Sequence, residues 1–148
     1  MKTLNLPEIE CKIREKEENY EIFDVIRKKF VFLTPEEWVR QHFIHYMIHY
    51  LGYPKPLLTV ESGLNYNSLR KRSDIVAYNS EGSPVLLVEC KSYKMKVNQQ
   101  ALNQVTIYNK RILATHVVLT NGVKHYCFKK EGNNYNTLTE IPDYGRIA

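Results

Sequence analysis

The stretch PVLLVECK, residues 84–91, constrains the fold of this chain more than any other. Val85 to Val88 are four consecutive apolar residues bounded by the turn signal NSEG before them, the mark of a strand buried on both faces. A strand of that kind sits inside a sheet whose two faces are covered by other layers. The run nevertheless ends on Glu89 and Lys91, and Asp74 stands near the start of the preceding strand. A small domain has placed two carboxylates and an ammonium at the edge of its own core.

The rest of the chain supplies the layers. TPEEWVRQHFIHYMIHYLG reads as a helix, with Thr34 as N-cap, Pro35 in the first turn, Glu36 and Glu37 at the positive end and Gly52 as the stop. Glu37, three residues after Thr34, completes a capping-box pattern. Val39, Phe43, Tyr46, Met47 and Tyr50 form its apolar stripe. Strands are expected over about 57–63, 72–78 and 85–91, the first two as a hairpin. A second helix follows Asn98 as N-cap, with Ala101, Val105, Tyr108 and Ile112 on its apolar side. THVVLTNG is then a buried strand ending on an Asn-Gly turn, and VKHYCFKK an alternating strand in a tight hairpin with it. The expected fold is α/β: a mixed sheet flanked by helices, with antiparallel neighbours before the second helix and a parallel pairing across it. The domain spans 34–130, preceded by an extension, 1–33, with one or two short strands in 20–33, and followed by a tail, 131–148.

At 148 residues the chain is about one domain with a real core. With 43% hydrophobic and 25% charged residues, wholesale disorder is excluded. No apolar run approaches the roughly 18 residues of a membrane span, and the N-terminus lacks a signal-peptide pattern, so a cytoplasmic protein with no membrane partner is expected. Cys11, Cys90 and Cys127 are too widely spaced for a disulfide framework or a zinc site. His42, His45 and His49 recur at helical spacing beside Trp38 and read as a helix flank, and with His116 and His125 they make no convincing metal cluster. The charge is uneven. From Ser62 to Lys130 eleven lysines and arginines face three acids, an excess of +8, within a net charge of +5 for the whole chain. A basic half of this kind favours a polyanion, although a solvated basic surface explains charge alone equally well.

Strand side chains alternate, so Glu89 and Lys91 share a face, and an ordinary hairpin register puts Asp74 across from them. Two carboxylates that close resist joint ionisation unless a cation sits between them. Magnesium, with manganese as an alternative, takes carboxylate, phosphate and water oxygens, and the Cys90 carbonyl offers one more. Lys91 beside such an ion would orient or deprotonate a water, or stabilise charge on a phosphorane. That is the chemistry of metal-assisted phosphodiester hydrolysis.

The spacing, Asp74, then fourteen residues, then Glu89-Cys90-Lys91, resembles the PD-(D/E)xK nuclease superfamily, with Ser73 in place of the proline. The helix, three strands, helix, strand order of that restriction-endonuclease-like core matches the order read from periodicity. Gln104 and Tyr108 in QVTIY match a Q-x-x-x-Y element of RecB-like nucleases, in which both side chains face the active site. A glutamine on the apolar side of a helix must find partners, and the bland alternative is a boundary glutamine beside a core tyrosine. Many superfamily members also carry a helix glutamate at the metal, a role for which Glu36, which shares a face with Val39, is better placed than Glu37. The bland alternative is a pair of helix-dipole acids. More narrowly, TPEEWVRQHFIHYMIHYLGYPK, KRSDIVAY, PVLLVECKSYK, LNQVTIYN and LTNGVKHYCF resemble the N-terminal nuclease domain of type I restriction enzyme R subunits, in its short stand-alone form. The resemblance covers about 35–130 and implies a magnesium-dependent DNA endonuclease with Asp74, Glu89 and Lys91 as its catalytic set. Arg70, Lys71, Arg72, Lys94 and Lys96 would contact DNA phosphates. Restriction-modification or defence subunits, or a second copy of the chain, are the expected partners.

The sequence departs from a complete R subunit in having no G-x-x-x-x-G-K-[ST] phosphate loop, so it is not expected to translocate DNA by itself. It also carries no recognisable helix-turn-helix to read a site. Two other readings stand beside the nuclease: a catalytically silent nucleic-acid-binding or restriction-complex domain of the same fold, and an interaction domain whose charges form only an ion pair.

Overall fold

The computed structural model describes residues 1–64 and 71–148, and side chains outside 62–73. Helix α1 (Pro35–His49) starts as its sequence dictates, with the Thr34 hydroxyl accepting from the Glu37 N–H at 3.0 Å. The expected capping box is only half made. The Glu37 carboxylate accepts from Arg27 at 2.8 Å and from Arg40 and Gln41 at 2.9 Å, so it is drawn inward by guanidinium groups. Val39, Phe43, Ile44 and Met47 are fully buried, whereas Tyr50, expected in the apolar stripe, is 64% exposed at the C-cap. Glu37, Arg40, Gln41 and His42 are buried too, so this helix hides polar groups as well as apolar ones.

Six strands make the main sheet: β4 (Leu58–Leu64), β5 (Lys71–Tyr78), β6 (Pro84–Cys90), β7 (His116–Thr120), β8 (His125–Glu131) and β9 (Asn134–Leu138), hydrogen-bonded in that order. β6 and β7 pair parallel and every other neighbouring pair is antiparallel. The parallel pair needs a crossover, which helix α2 (Gln99–Ile112) provides. Asn98 caps α2 by accepting from the Ala101 N–H at 2.9 Å. At its other end the buried Asn109 amide donates to the Ala114 carbonyl and to the Tyr135 hydroxyl, both at 3.0 Å, tying α2 to β9.

The continuous apolar run of β6 works as its pattern predicts. Leu86 and Val88, with Ile75 and Ala77, pack into the cluster under α1. Leu87, with Val76 and Val117, packs on the other face against Val105 of α2. The protein is thus a mixed α/β fold, with one sheet between two helices. Asn121 and Gly122 stand in a four-residue connection from Thr120 to His125, longer than the tight hairpin expected. Gly122 is required there, because its φ is +84° and a Cβ would meet Leu4 at 2.9 Å.

Two terminal regions differ from expectation. Residues 131–148, read as a tail, supply β9 and the short helix α3 (Tyr144–Ile147), fastened by Tyr144 N–H to Leu51 carbonyl at 2.8 Å and Tyr53 hydroxyl to Pro142 carbonyl at 2.9 Å. The N-terminal extension forms a second antiparallel sheet of β1 (Ile13–Lys16), β2 (Asn19–Asp24) and β3 (Lys29–Phe32), where one or two strands within 20–33 were expected. Val25 and Ile26 pack on the cluster under α1, and an ionic chain reaches the helix: Asp24 to Arg27 at 2.5 Å, Arg27 to Glu37 at 2.8 Å, then Arg40 to Glu37 and Glu36 at 2.9 Å. Among the described residues, no helix is long and apolar enough to cross a membrane.

Candidate active site

Asp74 and Glu89 meet because β5 and β6 are antiparallel neighbours. Their last paired residues are Ile75 and Val88, and one further step of the same register sets Asp74 opposite Glu89. By alternation both lie on the face of Val76 and Leu87, the face that α2 covers. They are buried, 0% and 3% exposed. The Lys91 ammonium sits 3.2 Å from the Glu89 carboxylate, and its backbone N–H donates to the Thr120 carbonyl at 2.8 Å, anchoring the residue just past the strand end. Asp74, Glu89 and Lys91 are therefore brought together at one end of the sheet.

A third carboxylate joins this row, one that sequence reasoning missed. Glu61 of β4 pairs with Asp74 and so shares its face. The hairpin register was the signal that could have found it. Glu61 accepts from the Thr59 hydroxyl at 2.9 Å and the Tyr78 hydroxyl at 3.1 Å. Burial, and then the hydrogen bond and charge of Glu61, push the Tyr78 phenol above its ordinary range.

The other expected members differ in where they stand. The Cys90 side chain is 1% exposed in the cluster under α1, opposite the carboxylates, so its part at the pair is confined to its backbone. Burial pushes its thiol far up, Arg40 opposing and Glu89 adding to the shift. Glu36 is on α1, on the other face of the sheet, and binds Arg40 at 2.9 Å. The cluster that pairs Arg40 with both Glu36 and Glu37 raises the guanidinium pKa still further, overcoming the opposing effect of burial. Gln104 is exposed, not on the buried side of α2 as expected, because it lies between the turns that carry Ala101 and Tyr108 at the edge of the stripe. Tyr108 is partly buried against the Val76, Leu87, Val105 and Val117 cluster. Both belong to the helix over the carboxylate face.

Lys94 and Lys96 are exposed on the loop between β6 and α2. Arg70 lies outside the described residues, as do the side chains of Lys71 and Arg72. Among the described residues, no group of three or more His, Cys, Asp or Glu is placed to hold a metal ion. His42 meets Trp38 edge to face, with ring centroids 4.3 Å apart, and its ring nitrogen lies 2.8 Å from the Trp38 carbonyl. The Asp74 and Glu89 carboxylates, with the Cys90 carbonyl at the strand end, are the oxygens that could hold a cation here. Carboxylate and carbonyl oxygens are the donors that magnesium takes, beside water and phosphate.

The fold has a counterpart of known structure. A fragment assigned to an HsdR subunit of a type I restriction enzyme from Vibrio vulnificus YJ016 matches with a TM-score of 0.55 over 78% of this chain, at 14% identity. The match covers 24% of that solved fragment, and at this identity the likeness concerns the fold. Sheet and helices thus define an α/β domain with the fold of that fragment. Residues 35–142 match the family described as type I restriction enzyme R protein N terminus (HSDR_N), and the chain belongs to that family. No curated protein matches it.

Proposed function

We propose that this chain is a magnesium-dependent endonuclease of the PD-(D/E)xK type that hydrolyses DNA phosphodiester bonds, alongside other restriction subunits. The observation that carries the reading is the register that sets Asp74 opposite Glu89 with the Lys91 ammonium 3.2 Å away. Family membership supports the setting. Asp74 and Glu89 would hold the ion, with the Cys90 carbonyl as a further oxygen. When bound, magnesium or manganese supplies a Lewis acid for a phosphate oxygen and lowers the pKa of a coordinated water. Lys91 orients the attacking water and offsets the negative charge that grows on the phosphorus oxygens. Water attacks in line, the bond to the 3′ oxygen breaks and that oxygen takes up a proton, leaving a 5′-phosphate and a 3′-hydroxyl. Gln104 and Tyr108, from the helix above the pair, position water or phosphate. Arg70, Lys71, Arg72, Lys94 and Lys96 meet the backbone phosphates.

Calorimetric titration of magnesium and manganese into wild type and Asp74→Ala, with plasmid nicking on the same samples, tests this. Metal binding and nicking in the wild type, both lost in the variant, are expected. Nicking by Asp74→Ala at the wild-type rate would overturn the assignment. Salt-sensitive DNA binding with neither metal uptake nor products would favour a silent binding domain instead.

A further inference from the structure

We propose that the exposed patch beside the carboxylates holds an unpaired DNA strand, with Tyr126 as the surface on which a base stacks. The polymer's identity rests on the nuclease reading above, while the preference for unpaired bases rests on the patch itself. Glu89 pairs with Leu119 and Leu119 with Tyr126, so Tyr126 lies on the Glu89 face. Two strand spacings separate them, about 10 Å. A base on Tyr126 would belong to a nucleotide close to the one being cut.

Tyr126 is 39% exposed, and Met95 at 54% and Val123 at 37% are exposed on the segments that follow β6 and β7. Asn121 binds the two segments together: its amide donates to the Met95 carbonyl at 2.8 Å, and its carbonyl oxygen accepts from the Val123 and Lys124 N–H groups at 3.0 and 2.8 Å. Lys94 and Lys96, which flank Met95 in the chain, and Lys124, which follows Val123, are exposed too. The chain carries no acid from Cys90 to Lys130, while the same stretch holds eight lysines and arginines. The charge therefore complements a polyanion, and the same segments also expose apolar and aromatic side chains.

That combination discriminates between forms of DNA. A duplex turns its phosphates outward and keeps its base faces stacked inside, so exposed Met, Val and Tyr side chains gain little from it. A single strand presents base faces between phosphates, and a stacking aromatic among cationic residues matches both.

Fluorescence anisotropy in metal-free buffer, with labelled oligo(dT) alone or annealed to oligo(dA), reads this directly. Wild type is expected to bind the single strand more tightly. Tyr126→Ala should weaken that binding by about tenfold and leave duplex binding unchanged, while Tyr126→Phe retains it. No loss in Tyr126→Ala, or an equal loss on duplex, overturns the proposal. Photocrosslinking of wild type to a bromodeoxyuridine-containing strand needs no variant: adducts on Tyr126 or Met95 support the patch, and adducts confined to other surfaces reject it. Tyr126-dependent strand binding without cleavage would reject the nuclease reading and keep this one. Cleavage indifferent to Tyr126 would do the reverse.

Discussion

Lys91 is the residue whose contribution can be isolated from metal binding. It is partly exposed and donates to Glu89 at 3.2 Å, so it is close to the reacting phosphate in the proposed mechanism without being a ligand. Lys91→Ala is expected to lower the nicking rate by about a hundredfold or more, as the loss of a preorganised charge stabiliser does, while the calorimetric metal affinity persists. Plasmid nicking at saturating magnesium checks it, and an unchanged rate would remove Lys91 from the chemistry. At this scale the site was legible where period two applies: Asp74, Glu89 and Lys91 follow from alternation and one hairpin. It was less legible on helices. Gln104 and Val105 are adjacent in sequence yet differ in exposure, because about 100° of rotation separates neighbours and a stripe has a blurred edge. Glu36 could not be assigned from its facing either, since its partner Arg40 is a buried cation that no amphipathic pattern announces.

Among the elements, those with a buried face declared themselves and those without one did not. α1, α2 and strands β4 to β8 carry the apolar periodicity from which they were expected, within a residue or two. The missed strands, β1 and β9, are IREK, exposed throughout, and NYNTL, mostly exposed. Both are edge strands held by backbone pairing, which leaves no hydrophobic signature. The end of α2 holds a local strain that sequence patterning also misses. Its C-cap, Leu113, has φ +65°, a left-handed conformation that glycine adopts freely and leucine does not. The side chain is 62% exposed, so little packing is lost with it. Leu113→Gly is therefore expected to stabilise the protein by about 0.5–1 kcal/mol. Thermal melts should show a rise of about 2–3 °C. A lower melting temperature would mean that leucine's contacts outweigh the backbone strain.

For the molecule as a whole, the family match begins at residue 35 but the core begins earlier. Leu4 packs against Gly122 and Val39, and Ile22 and Asp24 are fully buried. The N-terminal sheet reaches α1 through Asp24, Arg27 and Glu37, so the folding free energy of the whole should report on one carboxylate outside the proposed catalytic set. Burial alone would raise the Asp24 pKa. The Arg27 backbone and side-chain hydrogen bonds and the Arg27 charge, with the Ile26 N–H, outweigh burial and hold it below the ordinary 3.8. A carboxyl depressed in the folded state stabilises fully above its unfolded value and loses that stabilisation as pH falls through the folded value. Asp24→Asn keeps a side-chain oxygen for the two N–H groups but removes the charge facing Arg27. At neutral pH the variant is expected to be less stable by roughly 1–3 kcal/mol, the worth of a charge-assisted hydrogen bond. As pH falls below the ordinary carboxylate value, the wild type loses its advantage and the two stabilities converge. Urea unfolding of both proteins at a series of pH values checks this. A gap that stays constant into acid would mean that the Asp24 charge is not what fastens the N-terminal sheet to the domain.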